Sequence, residues 1–271
     1  MRRIFVVLTG ALSLVLGLAA PTSAATSTPL PSSMASTGDS ITRAFDATAG
    51  GCFLVDCPQY SWSTGSSTSV NSQYRQLLAL NPGISGHASN DAKTGAKMVD
   101  LATQLTSAAN QGVDYVTVLM GANDVCTSSA ASMTPTSTFT SQFQSALSTY
   151  FASRPNSRVF VSSIPNIHQL WSLLHTNATA QATWTSFGIC QSMLSATNSD
   201  ADRQKVVDQE AADNNALATV CAQFANCRWD GYATFNIAFT TKDVSTVDYF
   251  HPSVAGQNKL ATVTWAASYW G

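Results

Sequence analysis

The chain has 271 residues, of which only 10% are charged, and its formal net charge is −2. That balance, with no run of Lys or Arg, argues against a nucleic-acid partner and against an anionic membrane surface. Beyond the first 20 residues no segment approaches the roughly 18 continuous apolar residues of a membrane helix, so the remainder reads as a soluble, hydroxyl-rich chain able to bury a sizeable core.

Residues 1–25 have the layout of an export signal. Arg2 and Arg3 precede an apolar stretch from Ile4 to Ala20, and "PTSAA" offers small residues for cleavage near Ala24 or Ala25. The paired arginines match a twin-arginine signal only in part. "TSTPLPSSM" (26–34) is a polar linker. A short first strand is expected to end near Thr37, followed by Gly38-Asp39-Ser40 and a helix from Ile41 onward. Helical spacing of apolar residues then recurs over 70–80, 95–108, 141–154, 205–224 and 254–270. "DYVTVLM" (114–120) and "SRVFVSSI" (157–164) are β-branched, apolar and bounded by turn residues, as buried strands are. Strand, helix and strand in that order form a βαβ unit, so the fold class is α/β with a helix-covered parallel sheet. Residues 35–271 show no repeat and no second linker, and read as one domain. The Trp- and Leu-rich stretch 167–190 has two readings: a helix packed on the core, or a flap lining an acyl groove.

Six cysteines in an exported chain suggest three disulfides. Six cysteines permit fifteen pairings. Cys52 with Cys57 and Cys221 with Cys227 are close enough to clip short loops, which leaves Cys126 with Cys190. No C-x-x-C pair occurs and no histidine sits at ligand spacing beside a cysteine, so no metal is expected; the serine chemistry read below requires no organic cofactor either.

In open parallel sheets, ligands gather beyond the carboxyl ends of the strands. Gly38-Asp39-Ser40 and Gly121-Ala122-Asn123-Asp124 each follow a strand and so fall on one rim. A serine becomes a useful nucleophile only when a base takes its proton and an acid orients that base. "DYFHPS" provides Asp248 and His251 three apart in a turn, with Pro252 suited to open the following helix. Donors for a developing oxyanion are the backbone N–H of Ser40, the N–H of Gly95 and the side-chain amide of Asn123. Gly86 is an alternative to Gly95. Each residue also has an ordinary reading, as turn glycine, loop-capping amide or helix-capping histidine. His87, His168 and His175 read as loop or surface residues, and Asp39 as a turn former. No G-x-S-x-G elbow, H-E-x-x-H zinc motif or phosphate-binding Walker loop is present.

Together, "GDS" at 38–40, "TGA" at 94–96, "GAND" at 121–124 and "DYFH" at 248–251 resemble, in this order, the four sequence blocks of the SGNH/GDSL hydrolases, most closely their secreted actinobacterial members. The first block continues with Ile rather than Leu. The resemblance implies a three-layer, flavodoxin-like α/β/α sandwich on about five parallel strands. It implies that Ser40 is nucleophile and oxyanion donor, Gly95 and Asn123 the other donors, His251 the base and Asp248 its orienting acid. The expectation is an extracellular, monomeric serine esterase or lipase acting on acyl glycerides or simple acyl esters. An O-acetyl esterase of polysaccharides is the alternative, and a non-catalytic binding module the more distant one.

Overall fold

The computed structural model describes Met1 and residues 28–271, so the export signal expected over residues 1–25 lies, apart from Met1, outside the described residues, as does the start of the linker. Five strands, β1 (Met34–Gly38), β2 (Ala88–Asn90), β3 (Tyr115–Leu119), β4 (Arg158–Val161) and β5 (Cys227–Trp229), form one sheet in the order β2-β1-β3-β4-β5. Every pairing is parallel. All five residues of β1 and of β3 are buried, as expected of strands covered on both faces. The short strands β2 and β5 stand at the edges, where few unpaired backbone groups are left to attract another chain.

Among the described residues, nine α-helices flank the sheet: α1 (Gln73–Leu80), α2 (Leu101–Gln111), α3 (Ala122–Val125), α4 (Thr136–Ser153), α5 (Ile167–Leu174), α6 (Ala178–Phe187), α7 (Gln191–Leu194), α8 (Asp200–Cys221) and α9 (Val254–Ala267). Helix α4 packs against both α2 and α8, while α1 packs against α9. Among the described residues, no helix is long and apolar enough to cross a membrane. Strand order reverses between β1 and β3, and such a switch point opens a crevice at the carboxyl ends of the two strands. Ser40 and Asn123 follow those two strands.

Three helix starts differ from the sequence expectation. The helix expected from Ile41 does not form: residues 40–46 are a run of turns in which Ala44 (φ 50°) and Asp46 (φ 54°) are left-handed. A left-handed residue with a Cβ stops a helix from propagating, and the chain turns away into the Cys52–Cys57 loop. The helix expected from Gly95 begins later, with a 3₁₀ turn at Met98–Asp100 leading into α2, because Gly95 itself is left-handed (φ 80°). Pro252 does not open α9. It pairs with Val244 in an isolated bridge, and Ser253 caps the helix by accepting the Gly256 N–H.

The three disulfides join Cys52 to Cys57, Cys126 to Cys190 and Cys221 to Cys227. The second spans 64 residues, a separation for which the chain-entropy model gives about 4 kcal/mol. It pins the excursion carrying α5 and α6 to the end of α3. Ile167, Leu174, Ala180 and Trp184 of that excursion are buried in the core, so core packing is the main business of residues 167–190.

Candidate active site

The turn that carries Ser40 is fixed from three sides. Gly38 has φ 142°, and a Cβ there would fall 2.2 Å from the Leu119 carbonyl oxygen, so only glycine lets β1 leave the sheet this close to β3. Gln104 of α2 grips Gly38 through both its N–H (2.7 Å) and its carbonyl (2.9 Å). Asp39 accepts the Ile41 N–H at 2.9 Å, the turn-forming role expected of it. Gln257 of α9 donates to the Ile41 carbonyl (2.7 Å) and accepts the Trp62 N–H (2.9 Å). Ser40 is thus held by buried amide side chains in place of a helix.

At the other end of the chain, Asp248 organises its own turn. One carboxylate oxygen accepts the N–H groups of Phe250 (2.9 Å) and His251 (3.0 Å), and the other accepts from Nδ1 of the His251 ring. Tyr249, between them, is left-handed (φ 58°), and its carbonyl is held by Trp184 Nε1 of α6 at 3.0 Å. Nε2 of His251 lies 2.7 Å from the Ser40 hydroxyl, across 211 positions of sequence. Phe45 and Phe250 meet the imidazole edge-on, with centroids 5.2 and 5.0 Å away. All three polar side chains are buried, so the hydrogen-bonded chain works in a medium of low dielectric.

Burial pushes the Asp248 carboxyl up, but the charge and hydrogen bond of His251 and two backbone N–H groups outweigh it and hold the group below the ordinary carboxylate range. For His251, burial opposes the cation. The hydrogen bond and charge of Asp248, with the charges of Asp39 and Asp46 behind, win and raise its pKa above the ordinary 6.5. The pair therefore favours an imidazolium, as a base that must accept a serine proton should.

Asp46 is the site residue that sequence reasoning missed. It is fully buried, one carboxyl oxygen accepts the Leu54 N–H, and the other has no protein partner. Asp46, Asp248 and His251 each offer an atom within 4.8 Å of the others. Burial pushes Asp46 up to about 6 despite the Leu54 N–H, with the charge of Asp248 adding to the rise. Burial likewise pushes Asp39 up to about 7. The three-residue group has the composition of a cation site, but both His251 nitrogens are engaged, one by Asp248 and one by Ser40. That arrangement suits proton transfer better than coordination. Asp46→Asn keeps an oxygen for Leu54 and removes a charge that favours the imidazolium. With His251 as the proposed base, which must be neutral to act, activity is expected to fall as pH drops through its pKa; the substitution is expected to lower that pKa and carry the acid limb of kcat/KM to lower pH. A pH–rate profile on a soluble ester checks this, and an unmoved or raised limb would contradict it.

Asn123, on α3, donates one amide hydrogen to the Ala96 carbonyl at 3.0 Å, which leaves its second hydrogen for a ligand. Its neighbour Asp124 accepts the Met98 N–H at 2.9 Å, and Lys93 N–H donates to the Gly38 carbonyl at 3.1 Å. These bonds stitch the Gly95 loop to the β1 and β3 turns. Among the described residues, no protein group accepts the N–H of Ser40 or of Gly95. Gly86 precedes β2 and so lies toward the opposite end of the sheet, where its N–H donates to the Tyr74 hydroxyl at 3.2 Å. His168 and His175 pack against Trp171 of α5, and His87 lies just before β2.

A serine hydroxyl hydrogen-bonded to a carboxylate-oriented imidazole, beside free N–H donors, is the arrangement acyl transfer needs. A family model described as GDSL-like Lipase/Acylhydrolase matches residues 36–263. A comparison with curated protein sequences gave no match. Similar solved structures include a GDSL-like lipase from Parabacteroides merdae (14% identity, TM-score 0.53, 88% of this chain and 95% of that one). They also include a variant of a Geobacillus acetyl-xylooligosaccharide esterase (15%, 0.53, 87% and 93%) and phospholipase A1 from Streptomyces albidoflavus (15%, 0.52, 87% and 99%). At such identities these structures speak for the fold. The family match over most of the chain speaks for more: the protein belongs to the GDSL-like lipase/acylhydrolase family and is a serine hydrolase acting on ester bonds.

Proposed function

We propose that the protein is an exported carboxylic-ester hydrolase whose nucleophile is Ser40. The observation that carries this reading is the unbroken hydrogen-bonded chain from Asp248 through His251 to Ser40. Ser40 Oγ attacks the ester carbonyl carbon while His251 Nε2 takes the hydroxyl proton, and Asp248 stabilises the imidazolium. The oxyanion is received by the Ser40 and Gly95 N–H groups and the free hydrogen of the Asn123 amide. Collapse breaks the bond to the alkoxy group, which leaves as the alcohol with the proton from His251. Water then repeats the steps on the acyl-enzyme and releases the acid. Three disulfides and the Arg2/Arg3-led apolar stretch support export into an oxidising compartment.

An apolar groove beside the triad supports an acyl chain longer than acetyl. Ile41, Ile167, Leu170, Leu173, Phe239 and Phe250 line it, with Ile41 next to Ser40 and Phe250 next to His251. Each buried methylene is worth about 0.8 kcal/mol, roughly fourfold in kcat/KM. A p-nitrophenyl ester panel is therefore expected to rise by about tenfold or more from acetate to butyrate. Leu173→Trp, which fills the groove, is expected to flatten that rise while leaving acetate turnover in place. A maximum at acetate, with faster acetyl release from acetylated xylan, would replace this reading with that of a polysaccharide O-acetyl esterase.

A further inference from the structure

The Cys52–Cys57 loop presents three consecutive apolar side chains to solvent. Phe53 is 62% exposed, and Leu54 and Val55 are each 48% exposed. Exposing such a run costs solubility, and on a chain with a buried core available it calls for a partner. The loop is stiff: the disulfide closes it, Cys52 N–H donates to the Thr48 carbonyl and Cys57 N–H to the Arg43 carbonyl, both at 3.1 Å. It is also tied to the reaction centre at three points. Asp46 accepts the Leu54 N–H and donates its own N–H to the Val55 carbonyl at 3.2 Å. Asp56 pairs with Arg43, three residues past Ser40, at 2.9 Å, and accepts a hydrogen bond from Thr94, the neighbour of Gly95. Val99, in the 3₁₀ turn that follows Gly95, is also 59% exposed.

We propose that Phe53, Leu54 and Val55 form a lipid-surface anchor that seats the mouth of the active site on an uncharged or zwitterionic lipid assembly. Three side chains at a loop tip bury at most a few hundred Å², well short of the roughly 800 Å² per partner of a stable protein interface. Insertion into an interface needs no such area, since each apolar side chain contributes by its own burial. The loop contains no Lys or Arg, and its one acid is already paired, so attraction to anionic headgroups is not what it offers. Because the disulfide and the backbone bonds fix the tip beforehand, little ordering entropy is lost on docking. The anchor deepens the acyl-ester reading, on which it rests for its purpose: the substrate class becomes esters presented in aggregated lipid.

The test separates binding from hydrolysis. Sedimentation with phosphatidylcholine vesicles is measured on the Ser40→Ala chain, with and without Phe53→Ser plus Val55→Ser. Partitioning is expected to fall about tenfold or more with the double substitution, and to survive Phe53→Leu plus Val55→Ile. In the catalytically intact chain, the double serine variant is expected to keep hydrolysis of p-nitrophenyl butyrate below its solubility limit and to lose activity on emulsified tributyrin. Equal vesicle binding by parent and double variant would overturn the anchor. So would binding that requires phosphatidylglycerol and vanishes with salt, or a double variant that loses vesicle binding and soluble-ester turnover together, since the tip would then be part of the fold. Loss of soluble-ester turnover in the parent would instead strike the hydrolase reading and leave the vesicle result standing.

Discussion

Ser40→Ala is expected to lower ester hydrolysis by about 10⁴-fold or more while leaving the melting temperature within a few degrees of the parent. The loss is expected to be large because, with Ser40 as the proposed nucleophile, no acyl-enzyme can form. The fold is expected to persist because the turn does not depend on the Ser40 hydroxyl. Gln104 holds Gly38, Gln257 holds Ile41 and Asp39 closes the turn through the Ile41 N–H. Among the described residues, the hydroxyl bonds to one side chain, that of His251. Turnover on a soluble p-nitrophenyl ester and a thermal melt check both halves. Undiminished turnover would end the mechanism, whereas a collapsed melt would move Ser40 from chemistry to architecture.

Asp248→Asn is expected to lower kcat by about 10³–10⁴-fold, with KM changed little. Asp248 does two jobs with two oxygens: one caps the backbone of its turn, the other takes the Nδ1 hydrogen of His251. The amide oxygen of Asn can keep the first job, which preserves the loop. Its NH₂ then faces Nδ1 and donates to it, so the ring hydrogen moves to Nε2. That tautomer donates to Ser40 and cannot accept its proton. Loss of the negative charge also removes the main support for the imidazolium, so burial would dominate and lower the His251 pKa. A kcat/KM split and the position of the acid limb report these effects. A variant whose KM rises while kcat holds would place Asp248 in substrate binding.

The legible parts of this molecule are those whose local sequence and final environment agree. β3 and β4 read as strands because nearly every side chain is β-branched or apolar and lands in the core. β2 ("ASN") and β5 ("CRW") carry no such pattern, being three-residue edge strands defined by their neighbours. The disulfide pairing was accessible because two pairs lie five and six residues apart and only one partnership remained. Ser40, Asp248 and His251 stood out through motif and spacing, and the 2.7 Å contact joins them in space. Asp46 had no such signal. It reaches the triad because Ala44 and Asp46 are left-handed and because the Cys52–Cys57 loop supplies the Leu54 N–H, and none of this is written in residue type. The same backbone reversal removed the helix expected after Ser40. Gly86 and Gly95 are similar as letters, with φ near 80° in both, and strand direction is what separates them.

The central claim is that Ser40 is a nucleophile activated by His251, and covalent labelling tests it most directly. The protein is treated with a fluorophosphonate at neutral pH, digested and analysed by mass spectrometry. One adduct on the peptide containing Ser40, absent from the Asp248→Asn chain over the same interval, is the expected result. An unlabelled parent, or a label on another residue, would contradict the account.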